Sequence, residues 1–342
     1  QLHASIRRQR QMCIRDRDGH LHSSTKPYLR KEIVDYARLA DTTWDEKSKA
    51  DEFNFQYLYN DNSEFAGESA QQSKKPILKY FYREPASLGH VDTRYFKLKI
   101  NPVLHISLGW EKDAETIKFI NTRGLELRGS IDNKVGFYFR ASENQGIFQD
   151  YVHGRIEDRF EVMPGEGRAK DFKDNGVDFG SAQGYITFNV TKHIQFQFGQ
   201  DKNFIGNGFR SMVLSDFSKD YFFLKINTKV WKINYQNIFA ELANYKATNT
   251  SDGLIEKKYM VTHHLSYNIT KNFNLGLFES IVFGRTDSTG NNTGFEFHYL
   301  NPLIFYRTIE FNLGSPDNVI IGLDWNCLLY TSDAADEWWR VD

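Results

Sequence analysis

The stretch Gly199-Gln200-Asp201-Lys202-Asn203-Phe204-Ile205-Gly206-Asn207-Gly208-Phe209-Arg210-Ser211-Met212-Val213-Leu214-Ser215-Asp216 breaks an alternating pattern that resumes on its far side. Before it, Ile186, Phe188 and Val190 fall on one face and Tyr185, Thr187 and Asn189 on the other. A turn at Thr191-Lys192-His193 follows, and then Ile194, Phe196 and Phe198 oppose Gln195 and Gln197. Period-two alternation makes a strand with one apolar and one polar face. Tyr221 to Leu242 restores the pattern as a second hairpin turning at Trp231-Lys232. A glycine-rich loop bearing Arg and Asp is thus held between two amphipathic hairpins.

The same pattern extends outward in both directions. Leu78, Tyr80 and Tyr82 alternate with Lys79, Phe81 and Arg83, and Phe96 to Leu108 alternates around Asn101-Pro102. Leu125 and Leu127 oppose Glu126 and Arg128, a turn at Asp132-Asn133-Lys134 follows, and Val135, Phe137 and Phe139 oppose Gly136, Tyr138 and Arg140. Glu143 to Asp178 reads as a long polar loop. Later come Val261 to Ile269, Phe273 to Phe283, Phe295 to Leu313 and Val319 to Trp325. Upstream, Ser23 to Ala40 has helical spacing at Tyr28, Ile33, Tyr36 and Leu39, with Pro27 placed for a first turn. Asp51 to Tyr59 is a second helical segment, and Ser63 to Lys75 is a polar linker.

Aromatics make up 15% of the chain, with 24 glycines against 7 prolines, an uncommon balance for a soluble α/β enzyme. The net charge of -1 offers no basic stripe for nucleic acid. No apolar run approaches the roughly 18 residues of a membrane helix. A transmembrane barrel escapes that test, because its lipid-facing and lumen-facing residues alternate and cancel. Strands near the ~9–11 residues that cross a bilayer, joined by alternating short turns and long polar loops, favour an all-β chain built as a large antiparallel transmembrane β-barrel with a small N-terminal helical part. A soluble β-sandwich, which has shorter strands, is the competing architecture.

Both ends read as foreign. Gln11 to Asp16 can be written in codons whose reverse complement, read one base in, encodes Cys327 to Ser332. Arg7 to Arg10 mirrors Asp333 to Asp336 in the same way. An inverted repeat translated in two frames resembles a sequencing-library adapter. The expected division is therefore 1–17 and 327–342 as adapter-derived ends, 18–75 as a helical periplasmic part and linker, and 76–326 as an incomplete barrel. Both cysteines fall in the foreign ends and carry no redox argument.

Thr122-Arg123-Gly124-Leu125-Glu126-Leu127-Arg128-Gly129, Gly136-Phe137-Tyr138-Phe139, Phe204 to Ser211 leading into Leu214-Ser215-Asp216, and Glu296 to Pro302 occur in an order that resembles the Wzi capsule-assembly family. More closely, it is similar to RemB-type proteins of gliding Bacteroidetes. The resemblance implies a bacterial outer-membrane barrel, a periplasmic helical part, and strands beyond this segment. It further implies attachment of surface polysaccharide, or support of gliding and adhesion through capsule-machinery or gliding proteins.

Within the loop, Asp201, Lys202, Asn203, Asn207, Arg210 and Asp216 are candidates to narrow a lumen or meet a glycan, with Phe204 and Phe209 as flat apolar faces. Gly206-Asn207-Gly208 lacks the ending of a phosphate loop and reads as turn glycines. Glu126, Arg128 and Arg140 share a polar face and are expected to form a lumen ion network. His263 and His264 point to opposite faces of one strand, so no metal site and no cofactor is expected. Ser211, His153 and Asp216 have no spacing that would converge them, so no enzyme is expected and an outer-membrane hydrolase ranks last. A general diffusion porin is the alternative within the barrel class. Outer-membrane lipid is the implied surrounding.

Overall fold

The computed structural model describes residues 22–43, 47–112, 116–132, 134–157, 162–173, 175–244, 255–270, 272–284, 294–302 and 317–327. In chain order these hold β1 (Thr25–Lys26), α1 (Arg30–Thr43), α2 (Lys49–Asp61), α3 (Ser63–Ala66), β2 (Gly89–Asp92), β3 (Phe96–Gly109), β4 (Lys118–Ile131) and β5 (Val135–Ile147). Then follow α4 (Asp150–Glu157), β6 (Val162–Met163), β7 (Gly167–Arg168), β8 (Lys170–Phe172), β9 (Gly176–Asn189), β10 (Ile194–Asp201), β11 (Phe204–Ile205) and β12 (Tyr221–Val230). The last are β13 (Ile233–Asn244), β14 (Glu256–Asn268), β15 (Phe273–Gly284) and β16 (Asn318–Cys327).

Twelve of these strands form one antiparallel sheet in the order β2-β3-β4-β5-β9-β10-β12-β13-β14-β15-β16, with β8 beside β9. Every step along that path joins strands that follow one another in the main sheet. Such a meander arises when each strand pairs with its predecessor through a local turn. Short turns at Thr191 to His193 and at Trp231-Lys232 fix the register on either side of the organising loop. Strand periodicity then propagates across the whole sheet. One register row reads Lys99, Arg128, Tyr138, Tyr185, Gly199, Phe223, Ala240, Met260 and Val282. Its immediate neighbour reads Leu98, Gly129, Phe137, Ile186, Phe198, Leu224, Phe239, Val261, Ile281 and Val319. The two rows point to opposite faces, one mixed polar and one apolar.

The helical part covers the polar face. α2 starts on a capping box in which Ser48 accepts from the Asp51 N–H and the Asp51 carboxylate accepts from the Ser48 N–H. Val34, Ala37 and Ala40 of α1 pack on Phe55 and Tyr59 of α2 and on Ala66 of α3, closing a small apolar core of its own.

Gly199 is where the sheet requires glycine. Its φ is +152°, and a Cβ there would sit 2.2 Å from the Gly184 carbonyl oxygen and 2.5 Å from Tyr185 Cα. The ring of Tyr185 stacks 5.1 Å from Tyr138 in the adjoining strand, so it has little room to retreat. Gly199→Ala is expected to lower stability by about 1–3 kcal/mol, read as a fall in the thermal midpoint of the refolded protein.

Several elements differ from the sequence expectation. Residues expected to start a helix at Ser23 instead run as an extended strap, with β1 paired to β11, and α1 begins only at Arg30. The alternation from Ile77 to Arg83 is not a strand. Leu78, Lys79 and Tyr82 have positive φ, and an Ile77–Phe81 bridge closes a tight turn, so the sheet begins at Gly89. The expected loop from Glu143 is strand to Ile147, and β9 starts already at Gly176. The described part of the expected strand Phe295 to Leu313 is a 3-10 turn, Phe297–Leu300, with its remainder outside the described residues. Tyr299 of that turn is completely buried and packs with Phe239, Val261, Ile281 and Phe283 of the sheet. The ends expected to be adapter-derived lie outside the described residues, except Cys327, which ends β16 opposite Phe273.

Candidate functional site

The organising loop divides into a tethered half and an exposed half. In the tethered half, β11 pairs with β1 of the N-terminal strap, and the Gly206 N–H donates to the Ser24 carbonyl at 2.6 Å. Ser23 donates to Asn207 Oδ1 at 3.0 Å, and the Lys26 ammonium lies 4.8 Å over the Phe204 ring. Asn203 is buried and accepts from Lys225 Nζ at 2.9 Å. The Asp201 carboxylate accepts from the Lys202 N–H, and Lys202 Nζ reaches the Gly165 carbonyl and Glu166 at 2.9 and 3.1 Å. Ile205 anchors this half from below, packed with Tyr221, Phe223, Ile238, Ala240 and Met260.

Phe209, Arg210 and Asp216 lie in the exposed half. The Arg210 guanidinium lies 4.3 Å from the Phe217 ring centre in a cation–π contact, and the side chain is otherwise exposed. Ser211 Oγ donates to the Ile205 carbonyl and accepts from the Val213 N–H. That hydroxyl holds the turn together, and His153 lies apart from it on α4. The predicted loop residues therefore form two groups, a buried set against the sheet and a rim set facing out.

The strap itself escaped the sequence reading. His22 Nδ1 meets Ser266 Oγ at 2.8 Å, Asn234 donates to Thr25 Oγ1 at 3.2 Å, and Ser24 is fully buried. These contacts run to β13 and β14, more than 200 residues away in the chain. A buried run of His, Ser, Ser and Thr is compatible only with a polar partner surface, because each hydroxyl and imidazole needs a hydrogen-bond partner there.

Glu126, Arg128 and Arg140 occupy the polar face, with Glu126 directly opposite Arg140. Arg128 extends the group toward the helical part. Its guanidinium lies 3.2 Å from Glu64, 3.6 Å from Asp61 and 3.7 Å from Glu126. Lys99 joins Glu64 at 2.8 Å and Glu84 at 3.0 Å, and Arg30 holds Asp61 at 3.1 Å. Arg140 makes no ion pair among the described residues. The network thus ties sheet to helices, a role its sequence spacing did not reveal because Asp61, Glu64 and Glu84 are remote in the chain.

Burial by itself would raise the Asp61 and Glu84 carboxyls. Arg30 and Arg128 outweigh it at Asp61, as do the Ser63 and Lys99 hydrogen bonds at Glu84, so both are held below their ordinary values. A depressed carboxylate contributes stability that is present above its unfolded value and is lost as pH falls through the folded one. Undocking of the helical part, read by proteolysis between Gly67 and Leu88, is expected to begin only below the ordinary carboxylate range. Unchanged protection down to pH 2 would contradict the coupling.

On the apolar face the row Asn237, His263 and Glu279 is fully buried. The segment 294–302 lies over this region of the face. Tyr299 stacks 4.8 Å from Phe283, Phe295 packs on Tyr259 at 5.2 Å, and Tyr235 donates to the Pro302 carbonyl while meeting His263 Nδ1 at 3.2 Å. His264, on the opposite face, contacts Asp324 at 2.9 Å. No cluster of three metal-ligating side chains occurs among the described residues.

No protein-family model matches the chain, and no curated protein matches it.

Proposed function

We propose that this chain is a segment of a plugged outer-membrane β-barrel of the Wzi and RemB kind. In this reading it holds surface polysaccharide at the cell and supports gliding or adhesion, by binding and not by turnover. One observation carries the reading: burial is inverted relative to a soluble sheet. Leu104, Ile106 and Leu108 are 74, 76 and 73% exposed, whereas Arg128, Lys225 and Gln236 are 6, 5 and 5% exposed. Water would reverse that order. A lipid exterior and a polar, chain-filled interior produce it.

The filling favours attachment over diffusion. The strap, the tethered half of the loop and the helical part lie where a porin keeps open water. The buried polar row on the apolar face is covered by the chain's own segment 294–302, which keeps Glu279 and His263 away from hydrocarbon. The exposed half of the loop then offers Arg210, Phe209 and Asp216 as a rim, with planar and apolar faces suited to sugar rings.

The test is saturable binding of the source bacterium's surface polysaccharide by the protein refolded in detergent. Arg210→Ala is expected to weaken it about tenfold, the loss of one charge-assisted contact. Single-channel recordings are expected to show little conductance. Large steady currents together with no polysaccharide binding would replace this reading with a porin.

A further inference from the structure

The strap roofs a cleft on the polar face. Its floor is Gln195 and Gln197 of β10, Lys225 and Asn227 of β12, and Asn234 and Gln236 of β13, and its wall is the chain from His22 to Glu32. The enclosed volume is about 50 Å³, and the cleft is open at its mouth. Two features of this floor are unsatisfied in complementary ways. Asn234 and Gln236 are over nine-tenths buried, yet among the described residues Asn234 Oδ1 and Gln236 Oε1 have no hydrogen-bond partner, and Asn227 Oδ1 also lacks one. Lys225 is equally buried, and its ammonium is held directly by a neutral amide, Asn203 Oδ1, and lies 5.5 Å from the Phe223 ring centre, with the Asp201 carboxylate acting on it from beyond ion-pair distance and no ion pair among the described residues. The neighbouring Lys229 differs, because Glu32 neutralises it at 2.7 Å.

Orphan acceptors call for hydroxyl donors, and a buried ammonium whose nearest carboxylate, Asp201, makes no direct ion pair with it leaves room for an anion in contact. Water can meet the first demand but not the second. We propose that the cleft is a subsite for an acidic sugar, a uronic-acid-type residue whose carboxylate sits on Lys225 and whose neighbouring hydroxyl donates to the amide oxygens. The inference rests on the surface-polysaccharide reading and narrows it to acidic glycans. The volume agrees with an edge-on fit. It is several times the ~10–15 Å³ that a single ordered water needs, enough for a carboxylate and an adjacent hydroxyl while the ring stays at the mouth. Asn203 links this subsite to the organising loop, so occupancy of the cleft bears directly on the segment that carries the rim residues.

The experiment titrates the full chain, refolded in detergent and checked by near-UV circular dichroism, with four probes. These are an oligogalacturonate, a neutral galacto-oligosaccharide of equal length, inorganic phosphate and the source bacterium's polysaccharide. The oligogalacturonate is expected to bind saturably and at least about tenfold more tightly than the neutral oligomer, as one charge-assisted hydrogen bond predicts. Lys225→Gln is expected to remove that preference. Gln197→Glu places a carboxylate directly across the strand pair from Lys225, and is expected to abolish uronate binding while keeping the protein folded. It stands as the second test should Lys225→Gln fail to fold. Equal binding of both oligomers, binding of phosphate alone, or polysaccharide binding that both variants leave unchanged would each overturn the acidic subsite. Polysaccharide binding in that last case would leave the broader reading standing, and absence of all glycan binding would overturn both.

Discussion

Arg128→Met is expected to destabilise the protein by about 3–5 kcal/mol, the cost of removing one partner from a buried charge group. The residue is almost wholly buried and faces three carboxylates, from Asp61, Glu64 and Glu126. Without it, Lys99 and Arg30 remain as the cations of a group that also includes Glu84. The loss should be felt as undocking, because Asp61 and Glu64 belong to the helical part and Arg128 to β4. Unfolding in detergent should show a lower midpoint, and the segment between Gly67 and Leu88 should become protease-sensitive before the sheet does. A shift below 1 kcal/mol with the helices still protected would mean that Lys99 and Arg30 suffice to hold the two parts together.

Phe223→Ala is the second large effect, at about 3–5 kcal/mol for a fully buried aromatic ring. Phe223 is 1% exposed and packs beneath Ile205, the anchor of the tethered loop. The cavity left behind would lie between the sheet and that anchor. Backbone hydrogen bonds from Ile205 to Leu214 and from Gly206 to Ser24 limit how far the loop can settle into it. Cleavage near Phe209 to Met212 should therefore accelerate in the variant. Polysaccharide binding should weaken in parallel if the rim depends on the anchor. Faster cleavage with unchanged binding would detach the rim from the glycan.

The sheet was legible because its signal is local. Alternation in Tyr185 to Asn189, Phe196 to Phe198 and Phe222 to Val230 sets strand and face together, and short turns then dictate neighbours. Ile77 to Arg83 alternates equally well, but it closes on itself through the Ile77–Phe81 bridge, and that tight turn takes residues into positive φ. The polar face was legible too, since Glu126, Arg128 and Arg140 appear on it by counting. What that face binds was not. The partners of Arg128 lie on helices that periodicity places but cannot dock, and the strap has no period at all. Ser23 to Thr25 reads as the start of a helix, whereas its burial as an extended strap follows from the polarity of the surface it meets. The division of Asp201 to Asp216 into tethered and exposed halves has the same origin, because pairing with β1 decides it.

The central claim is that the apolar face meets lipid and the polar face does not. Nitroxide labels placed singly at Leu104, Ile186 and Leu224, and at Thr187, Asn189 and Asn227, would test it most directly. The protein would be inserted in liposomes with Cys13 and Cys327 replaced by serine. Collision rates with oxygen should be high and those with a water-soluble nickel chelate low at the first three sites, reversing in phase with the strand at the second three. If the chelate reaches Leu104, Ile186 and Leu224 freely, the apolar face is not in a membrane, and the barrel reading is wrong.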